Sequence, residues 1–206
     1  MQNKYLVFLF TAALLSPLPV MAKSVKELWL AMPEDMVPYL GKEKRQECLD
    51  FMQMGVKAEA DNALGGKSVV DTLTADYLQA TLSRSLTLQM KRLPVDGRDS
   101  LLCVVRTIHG PEPESMVEFY SQEWERLGGM QFLVDDLVQR PDTMSTQRFR
   151  ELLLLFDPGL VCASLVPDSD ELEVSVRAVN VTAEEAEELK AIILQRKFKW
   201  NGTEFN

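Results

Sequence analysis

From residue 24 onward the apolar positions keep a helical rhythm near both ends of the chain and a period of two through the middle. SVKELWLA (24–31) reads as a short helix: Ser24 is placed to cap it, Glu27 three residues on completes a capping box, and Pro33 ends it. KEKRQECLDFMQM (42–54) reads as an amphipathic helix with Cys48, Leu49 and Met52 near one face and Gly55 as its stop. Residues 69–73 and 77–82 then read as short strands on either side of Thr74-Ala75-Asp76. Leu86, Leu88 and Met90 alternate with Thr87, Gln89 and Lys91, the signature of a strand with one face buried. Asp96-Gly97 signals a hairpin, because both central residues of the favoured turn need positive φ. Residues 101–108 return as a strand apolar enough on both faces to be central. Gly110-Pro111-Glu112-Pro113 turns the chain, and residues 116–120 come back.

Gly128-Gly129 opens a looser stretch to about residue 146, either a mobile segment or a long connection. Ser145 or Thr146 caps a helix through residue 155, stopped by Pro158-Gly159. Residues 160–166 and 172–178 form another hairpin about the turn 167–171, with Leu172, Val174 and Val176 alternating with Glu173, Ser175 and Arg177. Thr182 with Glu185 makes a second capping box, starting a helix through residue 193. Residues 195–200 are a last strand, and Asn201-Gly202 is a turn. Runs of strands set apart from helices indicate an α+β fold rather than alternating parallel α/β. The expectation is an antiparallel sheet meander with N-terminal helices and a C-terminal β-hairpin–helix–strand unit whose strands can join the same sheet. There is no tandem repeat and no low-complexity segment.

Ahead of this pattern stands MQNKYLVFLFTAALLSPLPVMA. Lys4 supplies a positive start, residues 5–15 a nearly unbroken apolar run, and Pro17 and Pro19 break any helix. Val20 and Ala22 are small residues two apart, which places a signal-peptidase cut after Ala22. The apolar run falls short of the roughly 20 residues a spanning helix needs, and no later segment is long enough. No cysteine stands near the cut to take a lipid. A retained membrane anchor is the alternative. The organisation is therefore a signal peptide over 1–22 and a single α+β domain over 23–206, soluble in a periplasm or secreted.

Removing 22 of 206 residues leaves 184, enough for one good core. The formal charge of −9 becomes −10 once the leader takes its one lysine, and such a surface repels phosphate backbones and anionic lipid. Nucleic-acid binding is disfavoured, and the negative balance is read as solubility. Cys48, Cys103 and Cys162 are odd in number, so at least one is unpaired within the chain. Export permits a disulfide. Cys103 and Cys162 lie in apolar, strand-like runs, where buried thiols are the first reading and a Cys103–Cys162 bridge the second. No CxxC spacing supports a thioredoxin-like role.

Candidate chemistry is thin. The single histidine, His109 in IHGPEP, would have to serve any Ser/His/Asp or Cys/His triad, yet no nucleophile elbow accompanies it; a structural or solvent-exposed role is preferred. One histidine also argues against a zinc centre. Asp168, Asp170, Glu171 and Glu173 suit calcium chemically but lack the EF-hand glycine and distant glutamate, so they read as a solvated turn. Glu184, Glu185, Glu187 and Glu188 complement a helix N-terminus. Leu64-Gly65-Gly66-Lys67-Ser68 lacks the GxxxxGKS spacing and no strand precedes it, so it reads as a turn into the first strand. Trp29, Trp124, Trp200, Phe198 and Phe205 could line a carbohydrate or peptide site, but core or sheet-edge packing is preferred. Catalytic residues are therefore unknown, and no metal or cofactor is called for.

The elements VPYL, RQECLDF and KAEADNALGGKSVVDTLTADYLQATLSRSLTLQMKRLP, with LWLAMP before them and FKWNGTEF at the close, resemble a family of exported proteins of Gram-negative anaerobes (Bacteroidales) catalogued as domain of unknown function 3256. The resemblance covers essentially all of residues 23–206. It implies a Gram-negative envelope, hence the periplasm, and carries over no activity and no catalytic residue. The functional expectation is a non-enzymatic exported protein that binds an envelope partner. A carboxylate-based envelope hydrolase would need a close Asp/Glu pair with one raised pKa. A small-ligand carrier would need a sizeable apolar pocket in the sheet.

Overall fold

The computed structural model describes residues 23–96, 99–157 and 159–206. The leader expected over residues 1–22 lies outside the described residues, as do Gly97 of the expected Asp96-Gly97 turn and Pro158 of the expected helix stop. In chain order the elements are α1 (Val25–Ala31), α2 (Lys42–Gln53), β1 (Glu59–Asp61), β2 (Lys67–Leu73), β3 (Tyr77–Ser83), β4 (Leu86–Leu93), β5 (Leu101–His109), β6 (Pro113–Tyr120), β7 (Arg126–Met130), α3 (Thr146–Leu153), β8 (Leu160–Leu165), β9 (Glu171–Arg177), α4 (Ala183–Ile192) and β10 (Arg196–Lys199). Both expected capping boxes are made, Ser24 with Glu27 and Thr182 with Glu185, and Ser145 caps α3 through the Arg148 N–H. The helix expected to run to residue 155 ends as α at Leu153 and tightens into a 3-10 turn, Leu154–Phe156. No helix among the described residues is long and apolar enough to cross a membrane.

β1 to β7 form an antiparallel meander in sequence order, so the fold is α+β and mostly sheet. The C-terminal strands do not extend it. They make a separate antiparallel sheet in the order β10-β9-β8. The physical reason is the row Leu172, Val174 and Val176, at most 1% exposed, which needs a whole apolar face to cover it. The meander supplies that face from Tyr77, Leu93, Cys103, Val105 and Val117, which share one core with the small sheet, α3 and α4. The opposite face, with Leu78, Ala80, Leu82, Leu88, Met90, Leu102 and Val104, packs on α1 and α2. The meander is thus the middle of three layers.

Three further expectations are corrected. β4 is not half-buried: Gln89 is 9% and Lys91 1% exposed, because the small sheet lies over the face that carries them. Gln89 donates to Ser164 Oγ at 3.1 Å and accepts from the Leu165 N–H at 3.0 Å. Lys91 Nζ donates to the carbonyls of Val166 at 3.1 Å and Pro167 at 2.8 Å. The second correction concerns the glycine-rich turn, which a strand does precede: β1 pairs with β2 across it. The Asn62 side chain accepts from the N–H groups of Leu64 and Gly66, and Gly65 takes φ 73°. Last, Gly128-Gly129 does not begin a loose connection but lies within β7, hydrogen-bonded to β6.

Candidate functional site

The residues singled out in the sequence are not brought together. His109 is exposed at the end of β5, its Nε2 hydrogen-bonded to Thr87 Oγ1 at 2.7 Å, with no carboxylate among its contacts. Glu185 closes a capping box, Glu188 pairs with Arg148 and joins α4 to α3, and Glu187 pairs with Lys190. In the acidic turn Glu173 pairs with Lys197 at 2.7 Å, and Asp170 lies 3.9 Å from Lys91. No grouping of three or more His, Cys, Asp or Glu that could hold a metal occurs among the described residues. Trp29, Trp124, Trp200 and Phe205 are buried, the last two with Phe119 in one aromatic cluster, and the Phe198 ring lies tilted 5.8 Å from that of Phe132.

The cysteines separate by depth. Cys48 and Cys103 are buried and Cys162 is half-buried; all three are free. Strand alternation puts Cys162 beside Ser164 on the outer face of the small sheet, opposite Ala163 and Leu165, while Cys103 faces that sheet from below. No bridge joins them. Burial pushes the Cys48 thiol up to about 11 and raises Cys103 further. Iodoacetamide at pH 8 should therefore label Cys162 in the native protein, and the other two only after denaturation. Peptide mass mapping that finds Cys103 labelled as fast as Cys162 would contradict this depth order.

Each carboxylate whose titration is displaced moves down, the wrong direction for a general acid. Glu118 is the most enclosed of them. Its burial alone would raise it, but hydrogen bonds from Arg126 Nε (2.8 Å) and the Tyr120 hydroxyl (2.9 Å), with Arg106 beside it, hold it below the usual range.

Glu118 stands at one end of the feature that can bind something. β6 has eight residues, but β7 pairs only with its second half, from Val117↔Met130 to Tyr120↔Arg126. Glycine lets β7 come so close, since a Cβ on Gly129 would sit 2.9 Å from the Val117 carbonyl oxygen. Past Met130 the chain leaves the sheet for the 3-10 turn Val134–Leu137. Beside residues 114–118 of β6 a slot of about 480 Å³ remains, lined by Met130, Phe132, Leu133 and Val161 and by the polar Glu114, Ser115, Arg126 and Gln131. Among the described residues no strand pairs with the outer edge of β7 or, on the side away from β5, with the first half of β6. Met116 and Leu133, which line the slot, are 51% and 67% exposed, and Leu127, farther along β7, is 58% exposed. Unpaired backbone groups flanked by apolar side chains are a template for an added strand. A second cleft of about 330 Å³ lies on the outer face of the small sheet, lined by Cys162, Ser164, Ser175, Arg177, Lys190 and Gln195 among others.

The slot was not visible in the sequence. Met116 reads as an ordinary strand residue, and only the end of β7 at Met130, where the chain leaves the sheet, opens the slot beside it.

A family model described as "Protein of unknown function (DUF3256)" matches residues 18–205. Among curated proteins none matches the chain. A solved structure of a domain of an uncharacterized protein from Porphyromonas gingivalis W83 is similar, with a TM-score of 0.72 and 23% identity over 88% of this chain and 98% of that one. That likeness shows a shared fold.

Proposed function

Because the chain belongs to the family described as protein of unknown function DUF3256, which brings no reaction with it, we propose a reading from the surface itself: an exported protein of the cell envelope, periplasmic or secreted, that holds a protein partner and turns over no substrate. The observation that carries it is the open β6–β7 edge, with Met116 and Leu133 exposed at the slot and Leu127 exposed on β7. An extended segment of the partner laid there would gain main-chain hydrogen bonds from the edge and bury alternate apolar side chains in the slot. Export is supported by the leader pattern of residues 1–22.

The test is in-cell cross-linking and pull-down of the tagged protein from the envelope fraction, with wild type beside a Leu127→Asp, Leu133→Asp variant. Wild type should capture one dominant envelope protein, and the variant about tenfold less, as expected when apolar anchors at an interface centre are charged. Both side chains are exposed, so the thermal midpoint of the purified variant should stay within a few degrees. Equal capture by the two proteins would remove the edge as the binding surface. Catalytic turnover by the purified protein, abolished by a point substitution, would replace the binding reading with an enzymatic one.

A further inference from the structure

The backbone nitrogen of Lys23 is held by a built receptor. It donates to Gln122 Oε1 at 3.0 Å. Gln122 is 7% exposed, and its amide is oriented from the other end: Nε2 donates to the Ser100 carbonyl at 3.2 Å and to Ser100 Oγ at 3.3 Å. An amide group held this way has a single acceptor atom, and that atom faces residue 23. The Lys23 side chain adds hydrogen bonds to the Gln122 carbonyl at 3.1 Å and to Glu123 Oε1 at 3.2 Å. The next residue, Ser24, caps α1, and Val25 is fully buried. Two residues past Gln122, Trp124 donates from Nε1 to the Leu28 carbonyl at 3.2 Å. The turn between β6 and β7 therefore grips residues 23–28, the approach to α1 and its first turn.

Resting on the export reading, in which the cut follows Ala22, we infer that processing creates a structural group: the α-ammonium of Lys23, received by Gln122 in the β6–β7 turn, so that cleavage strengthens the fold at that turn. The step is hydrolysis. Water adds across the Ala22–Lys23 amide, the C–N bond breaks, Ala22 leaves as a carboxylate, and the Lys23 nitrogen takes up the protons that make it an ammonium. A neutral N–H donor becomes a charged one on the same acceptor, and charge-assisted hydrogen bonds are shorter and stronger than neutral ones. The charges facing this nitrogen are Glu27 on its own segment, Glu123 across the turn, the Lys23 side chain, and Arg92, which reaches Ser100 Oγ at 3.2 Å. A positive charge ahead of a helix N-terminus is unfavourable. Here Glu27, held ionised by hydrogen bonds from the Ser24 N–H and hydroxyl, stands at that N-terminus and offsets it.

Two experiments test this. N-terminal sequencing of protein recovered from the envelope of producing cells should read from Lys23. Purified protein beginning at Lys23 is then compared with its N-acetylated form at pH 6, in the wild-type and Gln122→Leu backgrounds. Acetylation keeps the N–H and removes the charge. It should raise the unfolding equilibrium constant about tenfold in wild type, and leave it nearly unchanged in Gln122→Leu. A native start at any other residue overturns the inference together with the cut position of the export reading. A Lys23 start with an acetylation effect equal in both backgrounds, or missing from wild type, overturns the inference and leaves the export reading standing. If Gln122→Leu does not fold, the wild-type comparison decides alone: no difference overturns the inference.

Discussion

Replacing Lys91 with alanine should lower the free energy of unfolding by about 3–5 kcal/mol, among the largest losses available to a single polar substitution here. Lys91 sits in the central strand β4, 1% exposed, between the meander and the small sheet. Its ammonium satisfies the carbonyls of Val166 and Pro167, where β8 runs into the turn before β9. It lies 5.9 Å from the centre of the Tyr77 ring. The carboxylates of Asp76 and Asp170 stand 4.0 and 3.9 Å away but are 50% and 35% exposed, so water screens them and they add little. The loss comes from two carbonyls left without donors, at about 1–3 kcal/mol each, and from the cavity where the four-carbon stem packed. Lys91→Met fills the cavity without restoring the donors, and should recover roughly half of the loss. Urea unfolding measures both. A cost below about 1 kcal/mol for Lys91→Ala would mean that water reaches the two carbonyls and that apolar contact alone holds the layers together.

The same residue shows why the sequence was readable only in part. Alternation along β4 identifies a strand, and it assigns the polar half, Thr87, Gln89 and Lys91, to solvent. A face that meets water and a face that meets another sheet through a polar network carry the same residue types. What tells them apart is whether a second layer lies above, and that depends on Leu172, Val174 and Val176 more than eighty positions away. Local signals fared better because their physics is local. Ser24 with Glu27 and Thr182 with Glu185 bond within their own first turn, and both boxes form as read. The glycine pair at 128–129 misled for the opposite reason. Glycine marks loops by its freedom, but Gly129 is needed where β7 closes on the Val117 carbonyl, a contact that nothing near residue 129 announces.

Surface sites were the least legible. The slot beside β6 arises from a mismatch in strand length, eight residues against five, and the receptor at Gln122 joins residues about a hundred positions apart. Both involve the same hairpin. The turn from β6 to β7 holds α1, and β7 forms the open edge, so α1 and the proposed binding surface meet at residues 121–126.

Arg45→Ala should loosen α1, at a cost of about 3 kcal/mol. Arg45 projects from α2, 1% exposed, and donates from Nη1 to the Trp29 carbonyl at 3.1 Å and from Nη2 to the Met32 carbonyl at 2.7 Å. These lie at the C-terminal end of α1, a seven-residue helix with no basic residue in its last turn. The guanidinium makes no ion pair among the described residues; burial lowers its pKa, with Glu34 opposing. Its Nε has no partner. Removing it thus relieves a desolvation cost while stripping two carbonyls of charge-assisted donors worth about 1.5–3 kcal/mol each, so the losses exceed the relief. Arg45→Lys keeps the charge but cannot fork onto both carbonyls, and should cost about 1–2 kcal/mol. Hydrogen exchange localises the effect: amides of residues 25–31 should lose more protection in Arg45→Ala than those of β9, which fall only by the loss in global stability. Unchanged protection in α1 would mean that Val25, Leu28 and Trp29, all fully buried, hold the helix in place without its C-terminal cap.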